Sequence, residues 1–317
     1  ITETIVENLN IVIDKNYYPT KESMLSNLRH RPIGIGVQGL ADAFIKMNLP
    51  FTSSIARKLN KDIFETIYYY ALKKSCELAK NTTTYDTFKG SPASKGILQF
   101  DMWNKTPEFI SMEKWNDLKE DIKMHGLRNS TLISLMPTAS TAQIMGNNES
   151  FEPYTSNMYT RKVLSGEFVV INKHLIKCLR KNNMLTKEII DSIILQKGSV
   201  QSLNLPQHEK EIFKTVWEIS QKALLEMSAD RAPYICQSQS LNIFVEKPDP
   251  KVLNSVHLYG HSLGLKTGSY YIRTKPALST QNFSMDFLKE KSETNQIFIN
   301  NSVKYKDNYE PCLNCSS

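Results

Sequence analysis

Three short stretches carry residue types that can do chemistry. The first is Met136-Pro137-Thr138-Ala139-Ser140-Thr141-Ala142-Gln143. The apolar run Thr131 to Met136 reads as a buried strand that stops at Pro137, with a helix starting soon after. Hydroxyls and first-turn N–H groups then gather at one junction. A phosphate is favoured there, because those donors lack partners and lie at the positive end of the helix dipole. The same residues also suit a helix start that caps itself. No lysine follows in the P-loop position, which argues against a P-loop kinase or ATPase. The second stretch is Tyr270-Tyr271, inside Leu265-Lys266-Thr267-Gly268-Ser269-Tyr270-Tyr271-Ile272-Arg273-Thr274. Adjacent phenols can relay an electron together with a proton, or can simply pack; Tyr17-Tyr18 and Tyr68-Tyr69-Tyr70 occur as well. The third is Cys312-Leu313-Asn314-Cys315. With no second pair and no histidine beside it, it makes a poor zinc site. Its spacing suits a reversible disulfide, or an accidental pair on a disordered end.

A fourth pattern misleads. Gly34, Gly36 and Gly39 form G-x-G-x-x-G. A dinucleotide site needs a buried strand before it and an acidic residue after it. Asn27 to Pro32 is no such strand, and Asp62 and Glu65 fall within an amphipathic helix, where they are expected to face solvent. Close backbone packing at a strand end is the simpler need for glycine here.

Stepping outward, the elements follow from periodicity. Ile5, Leu9, Val12 and Ile13 predict a helix over residues 1–13. Val37 to Met47 reads as strand or turn and then helix. Thr52-Ser53-Ser54 announces a long helix over Ile55 to Lys80, with Ile55, Leu59, Ile63, Ile67 and Ala71 as its apolar line. Residues 81–128 are mixed and broken by glycine and proline. A second long helix is expected from about Glu209 to Ala229, closed by Pro233. Leu241 to Val245 reads as a strand, and His257 to Ile272 as containing another. Residues 292–317 are polar and read as a mobile tail.

The chain has 317 residues, enough for one large domain or two ordinary ones. Lys plus Arg number 39 against 32 Asp plus Glu, a mild basic bias without a dense basic stripe, so nucleic-acid binding is not expected. No apolar run reaches membrane-spanning length. Five scattered cysteines do not form a secreted disulfide framework, which points to a reducing cytosol. The first residue is Ile1 and no signal peptide follows, so the sequence is expected to start inside a longer chain.

Longer runs carry a resemblance. They are Arg29 to Leu40, Met136 to Gln143, Asn147 to Asn157, Val163 to Phe168, Gln237 to Asn242, and the Tyr270-Tyr271 context. Together they resemble the large catalytic subunit of class I ribonucleotide reductase of the eukaryotic type. The likeness covers about residues 1–280 and resumes at the terminal cysteine pair.

That resemblance implies reduction of ribonucleoside diphosphates by radical chemistry. It implies that Thr138, Ala139, Ser140 and Thr141 hold the substrate phosphates and that Tyr270 and Tyr271 pass a radical from a small subunit. That subunit carries the di-iron tyrosyl radical; this chain is expected to bind no cofactor or metal of its own. Cys312 and Cys315 would re-reduce the active site and be reduced in turn by thioredoxin or glutaredoxin. The family's thiyl-radical cysteine, its active-site disulfide and its ATP and deoxynucleotide effector sites lie upstream of the part matching Ile1. The chain is therefore expected to be inactive alone, and Cys76, Cys178 and Cys236 to be structural. The implied fold is α/β: the second half of a ten-stranded α/β barrel over residues 1–174, a small α/β subdomain over 175–255, a last strand with the tyrosines over 256–281, and a flexible tail over 282–317. The implied partners are the N-terminal segment, the small subunit and, at full length, further copies of the subunit. A non-catalytic docking half is the rival reading; a cobalamin-dependent or glycyl-radical reductase fits the tyrosine context less well.

Overall fold

The computed structural model describes residues 1–163 and 166–275. Helix α1 (Thr2–Lys15) turns Val6, Asn10 and Ile13 inward. Helix α2 (Lys21–His30) starts at a capping box, with Ser23 N–H donating to Thr20 Oγ1 at 3.2 Å. A short helix α3 (Leu40–Lys46) follows Gly39. Helix α4 (Ser54–Asn81) begins where Ser53 Oγ accepts from Ala56 N–H at 3.1 Å.

The extent of α4 matches its periodicity, but its buried line is rotated by one residue. Ile55 is 64% exposed, while Ala56, Asn60, Phe64, Tyr68 and Leu72 are buried. The reason is polar. Asn60 Nδ2 donates to Met227 O at 3.0 Å, and its Oδ1 accepts from Arg231 at 3.2 Å. Glu65, expected in solvent, is 1% exposed. Its carboxylate accepts from the N–H groups of Glu108, Phe109 and Ile110 (3.1, 3.2 and 2.7 Å) and from the Tyr234 hydroxyl at 3.1 Å. A buried carboxylate is tolerable only with donors of this number.

The mixed region resolves into a single turn α5 (Gln99–Met102) and a helix α6 (Met112–His125) that buries Trp115, Leu118 and Ile122 against α4. Helix α7 (Ala139–Met145) precedes an antiparallel hairpin, β1 (Met158–Val163) and β2 (Gly166–Ile171), paired from Met158↔Ile171 to Val163↔Gly166. Helices α8 (Lys173–Lys181), α9 (Lys187–Leu195) and α10 (Gln207–Ile212) follow.

The expected helix from Glu209 to Ala229 is not continuous. It breaks into α10, a 3₁₀ turn at Val216–Glu218 and helix α11 (Gln221–Arg231). Glu218 Oε2 accepts from Thr215 N–H at 2.7 Å and from its hydroxyl at 2.9 Å, which starts a new turn. Ile212, Val216 and Ile219 are buried on both sides of the break, so the apolar period survives a change of path. Strand β3 (Asn242–Val245) lies where expected. Residues 257–272 begin in a helix, α12 (Pro250–Ser262), capped by Asp249; only the end reaches strand β4 (Tyr271–Thr274).

The extended segments form a parallel array. Ile35 N–H donates to Leu132 O at 2.8 Å, and Ser134 N–H returns to Ile35 O at 3.0 Å. On the other side Gln237 N–H donates to Ile133 O at 3.1 Å, and Ser240 N–H to Leu135 O at 2.9 Å. Strand β3 then pairs in parallel with β4, Asn242 opposite Tyr271. Leu132, Ile133 and Leu135 of the run Thr131 to Met136 are buried while Met136 is 47% exposed, and the run pairs only through the isolated bridges Ile35↔Ile133 and Leu135↔Gln239. Among the described residues the array is not closed into a barrel.

One hydrophobic core joins α1, α3, α4, α6, α11 and this array; a second, smaller cluster gathers Met158, Leu175, Leu179, Ile193, Val200 and Phe213. Arg231, 2% exposed, links α11 to the array through Gln239 (2.6 Å), to α4 through Asn60, and stacks 4.1 Å from the centre of the Phe151 ring. Among the described residues no helix is long and apolar enough to cross a membrane.

Candidate functional site

The segment Thr131 to Met136 delivers Thr138 to the start of α7. Close packing fixes its position: a Cβ on Gly36 would lie 2.9 Å from Ser134 O, so only glycine fits. This is the backbone approach that explains the G-x-G-x-x-G pattern. Thr138 does not cap α7. Its hydroxyl accepts from Ser150 N–H at 2.7 Å, and no side chain caps the helix. Thr141 Oγ1 donates to Gln38 Oε1 at 3.0 Å. Ala139, Ser140 and Thr141 are exposed, Thr138 partly so. The junction is therefore not self-capped; its first-turn donors and the Ser140 hydroxyl face outward, an arrangement that suits an anion.

The tyrosines sit two strands away. Leu135 bridges Gln239, and three residues further along that neighbour Asn242 pairs with Tyr271, so the 239–242 segment runs between the strand that leads to α7 and the tyrosine pair. The Tyr270 and Tyr271 rings lie 4.4 Å apart at 65° and are half exposed. A hydrogen bond with Tyr271 raises the Tyr270 pKa. Arg273, on the same strand face as Tyr271, stands 5.9 Å from the Tyr271 ring.

Sequence reasoning missed a polar network beneath the loop after α7. Asp42 Oδ1 meets His174 Nε2 at 2.9 Å and accepts from the Tyr154 hydroxyl at 2.8 Å; Oδ2 accepts from Asn148 N–H at 2.7 Å. Burial pushes the Asp42 carboxyl up, but the bonds from His174, Asn148 and Tyr154 together outweigh it and hold its pKa below the usual value. The network locks α3, the 147–154 loop and α8 to one another. Beside it opens a cleft of about 310 Å³, with Asn147, Glu152, Tyr154, Lys173 and Arg273 in its wall. Burial raises the Glu152 pKa to about 7, against hydrogen bonds from Asn242 and the nearby charge of Arg273. Asn147 Oδ1, Ser150 Oγ and Asn242 Oδ1 are buried without a partner among the described residues. Asn147 to Asn157 stood out in the sequence as a run, but Asp42 and His174 are 132 positions apart and gave no local signal.

Cys76 and Cys178 are pushed up to about 11 and 12 by burial, with Glu209 adding to the effect at Cys178; burial also raises Cys236, whose sulfur accepts from Leu132 N–H at 3.4 Å. Such thiols are poor nucleophiles at neutral pH. Cys312 and Cys315 lie outside the described residues. Among the described residues no three His, Cys, Asp or Glu side chains converge to hold a metal ion.

Known proteins align with this arrangement. The family profile described as "Ribonucleotide reductase, barrel domain" matches residues 1–271. The chain is 57% identical over 286 residues to the Variola virus ribonucleoside-diphosphate reductase large subunit, covering 90% of this chain and 37% of that protein. It is 53% identical over 317 residues to the Caenorhabditis elegans protein of the same name, covering 100% of this chain and 40% of that one. Among solved structures, an Actinobacillus ureae class Id ribonucleotide reductase alpha subunit superposes with a TM-score of 0.69 at 32% identity, covering 87% of this chain and 46% of that chain. The chain thus spans less than half the length of these relatives. The parallel array, the uncapped start of α7 and the paired tyrosines accordingly stand in a chain that belongs to the ribonucleotide reductase barrel-domain family.

Proposed function

We propose that this chain is part of the large subunit of a ribonucleoside-diphosphate reductase and supplies the phosphate cradle and the radical entry path of its active site. The observation that carries the reading is a shared neighbour: the 239–242 segment runs between the strand that leads to Thr138, Ala139, Ser140 and Thr141 at the start of α7 and the edge-to-face pair Tyr270 and Tyr271 at the start of β4. In this reading the α7 start binds the diphosphate of a ribonucleotide and fixes its orientation. Tyr271 and Tyr270 hand an electron and a proton toward the partner that holds the tyrosyl radical and its di-iron centre, a small subunit distinct from this chain. The radical cysteine, the reducible cysteine pair and the ATP and deoxynucleotide effector sites belong to the N-terminal part of the subunit. Cys312 and Cys315 act as the thiol shuttle that thioredoxin or glutaredoxin recharges, in a cytoplasmic enzyme that assembles from several copies.

The parallel array supports the second half of the ten-stranded barrel over residues 1–174, completed by β4 within 256–281, with residues 175–255 as the small α/β subdomain; the tail expected over 282–317 lies outside the described residues. All four residues of β4 are exposed, which also suits the rival reading of a docking half that meets a separately encoded segment. One experiment separates them. In the complete subunit paired with its small subunit, Tyr271→Phe should abolish turnover while nucleoside diphosphate still binds. Retained turnover would refute the relay role and favour the docking reading.

A further inference from the structure

Strand β4 is a weak element to trust with two phenols in edge-to-face contact. It has four residues, all exposed, and one strand neighbour among the described residues. In such a strand a slip of one residue costs little, yet it would send every side chain to the opposite face. Asn242 would then lie opposite Tyr270 rather than Tyr271.

The loop before β4 removes that freedom. Lys266 Nζ donates to three successive carbonyls, Ile235 O at 2.8 Å, Cys236 O at 2.7 Å and Gln237 O at 3.3 Å, and to Gln99 Oε1 at 2.9 Å. It also stands 5.0 Å from the centre of the Trp103 ring. Trp103 Nε1–H in turn donates to Gly264 O at 2.9 Å. Gly268 lies against His257, where a Cβ would come within 2.8 Å of Nδ1. Tyr270 N–H closes the loop on Leu241 O at 2.6 Å. The loop is thus fastened at residues 264, 266, 268 and 270. The carbonyls under Lys266 lead directly into β3, whose register with β4 is at stake.

No carboxylate pairs with Lys266 among the described residues, and burial lowers its pKa. The Lys266 ammonium faces only carbonyl and amide oxygens among the described residues, and packing alone would be served as well by methionine or leucine. We infer that Lys266, assisted by Trp103, is a positioning residue: its ammonium, clamped on the 235–237 carbonyls, sets the β4 register that holds Tyr270 edge-on against Tyr271. The inference rests on the relay reading of the two tyrosines.

The test uses the complete subunit with 3-fluorotyrosine at position 270, as Lys266→Met, Lys266→Arg and the unaltered protein. Titration of the fluorophenol by ¹⁹F NMR, without the small subunit, reports the tyrosine pair independently of turnover. In Lys266→Met the position-270 phenol should titrate at lower pH, because its bond with Tyr271 is loosened. With the small subunit present, and ordinary tyrosine at 270, kcat should fall by about 100-fold, the scale of a small misplacement of reacting groups, with KM for the diphosphate unchanged. Lys266→Arg should recover part of both. An unshifted titration in Lys266→Met would overturn the clamp. So would kcat and KM failing together, with a collapsed thermal transition that arginine does not repair. A shifted titration with undiminished turnover would uphold the clamp and overturn the relay reading it serves.

Discussion

Glu152 is a carboxyl held between two environments, a buried wall and an open cleft. Its pKa, raised from 4.5 to about 7, has a definite consequence. Between those values the unfolded chain has released the proton while the folded chain keeps it, so stability falls as pH rises through that window and the loss is complete above it. The loss amounts to about 3 kcal/mol. Glu152→Gln, which cannot ionise, should melt higher than the unaltered chain at pH 8 and nearly equally at pH 4.5; parallel melting curves across that range would contradict the assignment. Ser140 tests the other side of the site. Ser140→Ala in the complete subunit should weaken diphosphate binding by about 0.5–3 kcal/mol, the loss of a hydrogen bond to a charged group, read by calorimetry. The residues legible from sequence were those whose chemistry is contiguous: Thr138 to Thr141, Tyr270-Tyr271. Glu152, Asp42 and His174 were not, because burial and remote partners give each its role.

Helix α4 shows the same division among elements. Its length and cap were readable, since both depend on neighbours in sequence. Its inward line was not, because Asn60 and Glu65 are drawn in by hydrogen-bond partners 43 to 171 residues away. The break before α11 escaped notice for a related reason: the apolar period continues through it while Glu218 folds back onto Thr215. Glu65 also anchors the start of the 108–115 segment, and this can be checked locally. Glu65→Gln leaves one acceptor oxygen where two served, so amide exchange at Glu108, Phe109 and Ile110 should accelerate well beyond that of the α6 interior. Unchanged protection at those three amides would mean that the segment holds itself.

For the molecule as a whole, the parallel array has an exposed border. Tyr271 and Ile272 on β4, with Ile144 and Met145 on α7, place large apolar side chains in water (51%, 40%, 82% and 67% exposed). An edge strand with an apolar flank invites association. Co-expression with the N-terminal segment of the subunit should raise the soluble yield of this chain; an equal yield with and without it would argue that the border needs no cover. The α/β character was visible in the order of strands and helices. The hairpin β1–β2 and the smaller cluster were not, since neither announces itself by turn chemistry.

The three tryptophans occupy distinct depths. Trp115 is wholly enclosed, with the Phe100 ring 4.8 Å away; Trp217 leans on Phe244 with Lys275 nearby; Trp103 lies partly open beneath the Lys266 ammonium. Native emission is therefore already sorted by location. A diffusible quencher such as acrylamide reaches Trp103 and Trp217 while Trp115 stays bright, and a Trp217→Phe background leaves the quenchable fraction as an optical gauge of the loop before the tyrosines.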